Sequence, residues 1–264
     1  THDLDGSPTD GATDTMTLYA NDLTIYTNGA INVDGKSTRR DDSNTTLRGG
    51  SFGGRGQITS GGTTGLETGN PTEWETIFGE RGMGSAPLSG GVGGYGGGLI
   101  HLMIYDTLTV NGTISANGIE NTGGSYASGS GGSINIGRGD APVASALNPT
   151  ITGSGTIQAN GGNSSTAERA GGGGRIYVAY DDKSRFTGTV KALGGQETSS
   201  NNYYAGTGTI FYKWLNIWQN QNDGMILIDG FSQGDNIEID GDGTTAGLGD
   251  SDDYTIPRPS GESV

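Results

Sequence analysis

Few residues in this chain have the types needed for chemistry. There are 2 histidines and no cysteine, so thiol nucleophiles, disulfides and thiolate metal sites are excluded. One of the two, His101, belongs to a segment that recurs: Gly98-Leu-Ile-His-Leu, Gly132-Ser-Ile-Asn-Ile, Gly174-Arg-Ile-Tyr-Val and Gly208-Thr-Ile-Phe-Tyr. Aligned on the first glycine, these put His101, Asn135, Tyr177 and Phe211 in one column. Its neighbours are Leu99, Ser133, Arg175 and Thr209 on one side, and Met103, Gly137, Ala179 and Lys213 on the other. If the segments are stacked strands, this outward face carries Tyr177 and Phe211 flanked by His101, Arg175 and Lys213. Rings with basic neighbours can stack on sugars and contact carboxylates. Removing a proton beside such a carboxylate requires a base of suitable pKa within reach. The groups available are His101, Arg175 and Lys191, and nothing in the sequence makes them converge. The face is therefore a candidate for carbohydrate binding, and no catalytic residue is assigned.

A second cluster is acidic. Asp240, Asp242, Asp250, Asp252 and Asp253 lie in and after Asp240-Gly-Asp-Gly-Thr-Thr-Ala-Gly-Leu-Gly-Asp250. Hard cations take several oxygens from a loop that glycine lets fold tightly, so calcium is the ion to expect. The EF-hand pattern fails, because Thr244 occupies its third acidic position and the final Glu is missing. A solvated acidic loop is the competing reading. Arg138-Gly-Asp140 spells an integrin-recognised tripeptide, which chance explains in a chain with 53 glycines. Glycosylation sequons begin at Asn44, Asn111 and Asn163 and matter only where a glycosylation machinery meets the chain. The glycine runs at 90–98 and 171–174 are not phosphate loops, since neither leads into Lys-Ser/Thr and a helix.

Composition narrows the class. Of 264 residues only 46 are Leu, Ile, Val or Phe, and the formal net charge is −15, which makes disorder the first suspicion. Collagen is excluded, because the glycines have no every-third spacing and 7 prolines accompany them. No apolar run approaches the roughly 18 to 20 residues of a membrane helix. With 29 acidic against 14 basic residues, the chain repels phosphates, and nucleic-acid binding is not expected. No signal peptide is visible ahead of Thr1-His-Asp3, which fits a mature or trimmed product. Abundant Thr, Ser, Asn, Gly and Asp with few Lys is typical of exported surface proteins.

Repetition decides for order. A second motif, Gly-Thr-Ile-x-Ala-x-Gly, appears at Gly112–Gly118 and Gly155–Gly161 and, with Val for Ile, at Gly188–Gly194. Looser copies are Gly29–Gly35 and Gly224–Gly230. The two motifs alternate, with first glycines at 98, 112, 132, 155, 174, 188, 208 and 224, a mean step of 18. Low-complexity disorder holds no such phase. Each copy alternates with period two, the mark of a strand with one buried face. The inward pairs are Ile100/Leu102, Ile114/Ala116, Ile134/Ile136, Ile157/Ala159, Ile176/Val178, Val190/Ala192, Ile210/Tyr212 and Ile226/Ile228. Stacked, they make aliphatic ladders in which each neighbour covers the next. The economical fold is all-β, a parallel β-helix (solenoid) with a glycine-rich lateral loop excursion; a sandwich or barrel would not need the repeated phase. A coil of about 18 residues and one of about 36 remain open. Residues 1–22 read as a polar lead-in and 23–240 as the β-helix, with 23–35 its first coil and the lateral loop at about 36–97. That loop holds a capping-box spacing at Thr72–Glu75. Residues 241–264 read as an acidic loop and extended tail. Asn117 and Asn160 occupy equivalent motif positions and can form an asparagine ladder.

The succession Leu108–Gly118, Gly153–Gly161, Gly171–Tyr180 and Gly206–Lys213, with Gly-Gly-Arg-Gly at 53–56, resembles glycine-rich modules of large microbial surface and extracellular proteins. The resemblance spans roughly residues 23 to 230 and departs at Lys213–Trp218, which is more aromatic than the pattern. It implies a right-handed parallel β-helix displayed outside the cell, and it carries over no catalytic residue. The expected function is a non-enzymatic structural or adhesive module, extracellular or on the cell surface. It would self-associate into filaments or a layer or join neighbouring surface proteins. The alternative is a polysaccharide-binding or polysaccharide-cleaving β-helix.

Overall fold

The computed structural model describes residues 15–37, 50, 53–54, 56, 94–120, 127–137, 149–165, 169–198, 204–216, 221–227, 238–239 and 245–246. Among them the chain is all-β and its strands mostly parallel. There are an eight-stranded sheet, a four-stranded sheet and one separate antiparallel pair.

The chain visits the two larger sheets in a fixed order. A first pass lays down β1 (Thr15–Ile25) in the eight-stranded sheet and β2 (Ala30–Asn32) in the four-stranded one. The second gives β3 (Leu99–Val110) and β4 (Thr113–Ser115). The third divides its longer part into β5 (Ser133–Gly137) and β6 (Thr150–Gly153) before β7 (Thr156–Gln158). The fourth repeats this as β8 (Arg175–Tyr180), β9 (Asp182–Phe186) and β10 (Thr189–Lys191). β1 and β3 pair in parallel from Thr15↔Leu99 to Ile25↔Val110, with a register shift between Ala20 and Asp22. β5 then pairs with the first half of β3 and β6 with the second. β8 and β9 follow them in turn. In the four-stranded sheet Ile31, Ile114, Ile157 and Val190 stand in register. Equivalent asparagine-ladder positions are 43 and 33 residues apart, so one pass contains both motifs and the longer repeat is the one realised.

The period-two pattern is borne out in the interior. Ile100, Leu102, Ile114, Ala116, Ile134, Ile136, Ile157, Ala159, Ile176, Val178, Ala192, Ile210 and Tyr212 are all buried, and Val190 packs against them. A large aliphatic removed from water contributes about 1.5 to 3 kcal/mol, so a few stacked columns suffice in a chain poor in such residues. The repeated motifs do not contain a further strip, made of Ile104, Leu108, Val110 and Ile151, that is also buried.

Glycine and the motif alanine form one device. The amides of Gly98, Gly132, Gly174 and Gly208 donate to the carbonyls of Val33, Ala116, Ala159 and Ala192 at 2.9, 2.8, 2.7 and 2.7 Å. The glycine run thus crosses directly over the end of the preceding short strand. A Cβ on Gly132 or Gly174 would collide with the carbonyl of the glycine one pass below, so no larger residue fits that column.

Three differences from the sequence reading stand out. β1 begins at Thr15, inside the stretch read as a polar lead-in. Gly224–Gly230, read as another copy of the short-strand motif, does not join the four-stranded sheet. Its described part lies in β12 (Gln221–Leu227), antiparallel to β11 (Thr209–Asn216); a chain that turns straight back can pair only this way. The remaining pair, β13 (Glu238–Ile239) and β14 (Thr245–Ala246), is antiparallel too. Thr72–Glu75 and the tail from 247 lie outside the described residues. No helix among those residues is long and apolar enough to cross a membrane.

Candidate functional site

The outward column forms as the alignment requires. Asn135 on β5 pairs with His101 on β3 and with Tyr177 on β8, and Phe211 on β11 pairs with Tyr177. Neighbouring parallel strands lie about 4.8 Å apart, so these side chains are consecutive rungs on one face. Arg175 stands one pleat away, beside Ser133 and Thr209. The structure therefore brings His101, Arg175, Tyr177 and Phe211 together. Lys213 continues the adjacent column opposite Ala179, and its side chain lies outside what is described. Lys191 is on β10 in the other sheet and does not join them.

This face is covered. His101 is 7% exposed, Arg175 5%, Tyr177 3% and Asn135 0%. The Tyr177 and Phe211 rings sit 5.4 Å apart at a 37° tilt, and with Ala179 they make a small apolar cluster separate from the main core. Burial pushes the Tyr177 phenol well above its ordinary value, which keeps it neutral. Part of the cover comes from Gly50, Gly53 and Gly54. Gly50 accepts from the amide of Gly172 and donates to the carbonyl of Ser128, both at 2.9 Å, and Gly54 donates to Gly173 at 2.9 Å. Gly53 lies so close to Gly174 and Arg175 that a Cβ would not fit. A short glycine segment thus lies against the glycine runs of two passes. The sequence signal for this was Gly-Gly-Arg-Gly at 53–56, which had no assigned partner.

Two side chains under the cover lack partners. The Asn135 amide makes no hydrogen bond through either Oδ1 or Nδ2, and neither does the Ser133 hydroxyl. An unsatisfied buried polar group costs about 1 to 3 kcal/mol, so Asn135 and Ser133 stay enclosed through the packing of their neighbours and not through pairing of their own. A second buried polar element, Glu197, carries no signal in the sequence; it is fully enclosed where it bridges in parallel to Ser164.

The asparagine ladder is present and polarised. The Asp34 carboxylate accepts from the amide of Asn117 at 2.6 Å. Asn117 Oδ1 accepts from Asn160 N at 2.8 Å, and Asn160 Oδ1 from Leu193 N at 2.9 Å. Each pass satisfies the next, until Leu193 offers no acceptor. A shorter series runs through Asn163 Oδ1, which accepts from Gln196 N at 2.8 Å. Near the far end, Lys183 Nζ stands 4.5 Å from the Tyr212 ring centre, and Tyr180 meets Tyr212 edge-on.

The remaining candidates separate cleanly. Asp240, Asp242, Asp250, Asp252 and Asp253 lie outside the described residues, as do Asn44 and Arg138–Asp140. Among the described residues no group of three His, Asp or Glu side chains could hold a metal ion. Asn111 and Asn163 are both exposed. No family model matches the chain, and neither a curated protein nor a solved structure is similar to it.

Proposed function

We propose that the chain is a right-handed parallel β-helix acting as a non-enzymatic structural or adhesive module outside the cell, joined to copies of itself through its first pass. The observation that supports this best is the contrast between that pass and the ones stacked on it. Met16, Leu18, Ala20, Leu23 and Ile31 are only partly buried, whereas their register partners Ile100, Leu102, Ile104, Leu108 and Ile114 are fully enclosed. Among the described residues β1 and β2 each pair on one side only. Tyr19 and Tyr26 beside them are 63% and 73% exposed. A strand edge with apolar residues behind it is a template for another chain, and in a stack the missing neighbour is the missing half of the core.

Negative-stain electron microscopy and sedimentation over a concentration series test this, with calcium and with chelator. Filaments or oligomers are expected, and Leu18→Lys should dissolve them by placing a charge behind the edge. Loss under chelator would assign a cation to Asp240–Asp253. Monomers at every concentration would remove the assembly reading.

A second reading has one observation in its favour. His101, Asn135 and Tyr177 are neighbours in register with Arg175 beside them, a combination suited to a carboxylated sugar. The same residues are buried, so binding would require the cover to move. Retention on immobilised acidic polysaccharide, lost in Arg175→Ala, is the result that would favour it.

A further inference from the structure

We infer that the turn between β1 and β2 is a site of spontaneous covalent modification, in which Asn28 is converted to aspartate and isoaspartate, and that the asparagine ladder protects the pairs Asn117-Gly118 and Asn160-Gly161. The chain contains four such pairs: Asn28-Gly29, Asn111-Gly112, Asn117-Gly118 and Asn160-Gly161. In each, the glycine amide nitrogen can attack the asparagine Cγ. An N–Cγ bond forms, the Cγ–Nδ2 bond breaks, and ammonia leaves with the proton lost by the glycine amide. Water then opens the succinimide at either carbonyl, giving aspartate or isoaspartate. Glycine as the second residue presents no side chain to hinder the attack, so sequence alone makes the four pairs equivalent.

The structure makes them unequal. Attack requires the asparagine side chain to rotate onto the following nitrogen and that nitrogen to leave its hydrogen bond. Asn117 is held through Oδ1 by Asn160 N at 2.8 Å and through Nδ2 by Asp34 at 3.4 Å. Asn160 is held through Oδ1 by Leu193 N at 2.9 Å and through Nδ2 by Gln158 at 3.4 Å. Their glycines are bonded to another pass as well, Gly118 N to Asn160 O and Gly161 N to Leu193 O, both at 2.8 Å. Freeing either site means separating two passes. Asn111 is intermediate: its side chain is exposed and accepts one long bond, from Ser154 N at 3.3 Å.

Asn28 differs in each respect. It is exposed, it adopts the left-handed conformation at φ 68°, and among the described residues its side chain has no hydrogen-bond partner. Gly29 N is bonded only within its own turn, to Tyr26 O at 2.8 Å. Local opening of an exposed turn requires far less than opening a stacked element. Each ladder bond that must break slows the reaction by roughly tenfold. The product puts a new carboxylate, or in isoaspartate an extra backbone carbon, into the β1–β2 turn beside Tyr26.

The test is peptide mapping by mass spectrometry after incubating the full chain at mildly alkaline pH, folded and in urea. In the folded chain the Asn28 peptide should gain the amide-to-acid mass shift first, Asn111 next, and Asn117 and Asn160 at least tenfold more slowly. In urea all four should react at similar rates. Asp34→Ala should selectively speed Asn117. Equal rates in the folded chain, or an Asn28 slower than Asn117, would overturn the inference. So would the same ranking persisting in urea, since sequence and not folding would then set it.

Discussion

Asn160 and Asn135 belong to the same pass but to different stacks, and they have opposite fates. Asn160, half-buried just past a short strand, has both amide atoms engaged. Asn135, in the middle of a strand and 0% exposed, has neither. The cause is where backbone groups are left over. On β5 the main chain is bonded to β3 on one side and β8 on the other, so nothing remains for a side chain to take. Past the short strands, the amides of Asn160 and Leu193 fall opposite the side chain one pass below and are capped by it. A polar column therefore strengthens a stack only where the sheet ladder has ended. Within the sheet the same column must be stabilised by burial, and here Tyr177 and Phe211 supply it.

That difference is most exposed to test at Tyr177. If the outward face is a second apolar core, Tyr177→Ala removes a ring enclosed to 3% and should cost about 3 kcal/mol or more. Denaturant unfolding followed by circular dichroism would read the loss as a lowered midpoint. A change below about 0.5 kcal/mol, the level of an ordinary surface site, would mean the face is open in solution and the two regions differ less than their burial implies.

The sequence made one of these regions readable and not the other. Alternation with period two identified Ile100, Ile134, Ile176 and Ile210 as inward because apolar types on every second position have one physical meaning. The ladder was legible for a related reason, since Asn117 and Asn160 hold the same motif position. The cover over His101 and Tyr177 was not, because burial of a second face depends on a segment some fifty residues or more away in sequence, and alternation reports one buried face only. The inner strip at Ile104, Leu108 and Ile151 escaped for yet another reason. It continues along β3 beyond the repeated motif, and in the third pass it is separated from β5 by the stretch between Gly137 and Thr150, so no fixed spacing announces it.

The ladder itself should respond next most strongly. Asn160→Leu copies the residue that already ends the series at Leu193. It leaves Leu193 N without its acceptor, at an expected cost of about 1 to 2 kcal/mol. Asn160→Asp keeps an oxygen in place, as Asp34 does at the start of the series, and should retain most of the stability. Equal losses in the two variants would show that the amide's packing matters more than its acceptor, and would weaken the account of why this column is satisfied.

The smallest effect is expected at Asn135, and its sign carries the information. Leucine is close to asparagine in size, and Asn135 has no hydrogen bond to lose. Exchanging an unsatisfied buried amide for an apolar group of similar shape is neutral or favourable, so Asn135→Leu should leave stability unchanged or raise it by about 1 kcal/mol. Destabilisation by a similar amount would mean that the amide is hydrogen-bonded in solution, through ordered water shared with the neighbouring Ser133 hydroxyl. The double variant Ser133→Ala with Asn135→Leu separates these cases. For a dry row its effects add, and for a shared water the second substitution costs less than the first, because both groups hold the same molecule. In that event the two asparagine columns would obey one rule, each satisfied by whatever lies one step along the stack.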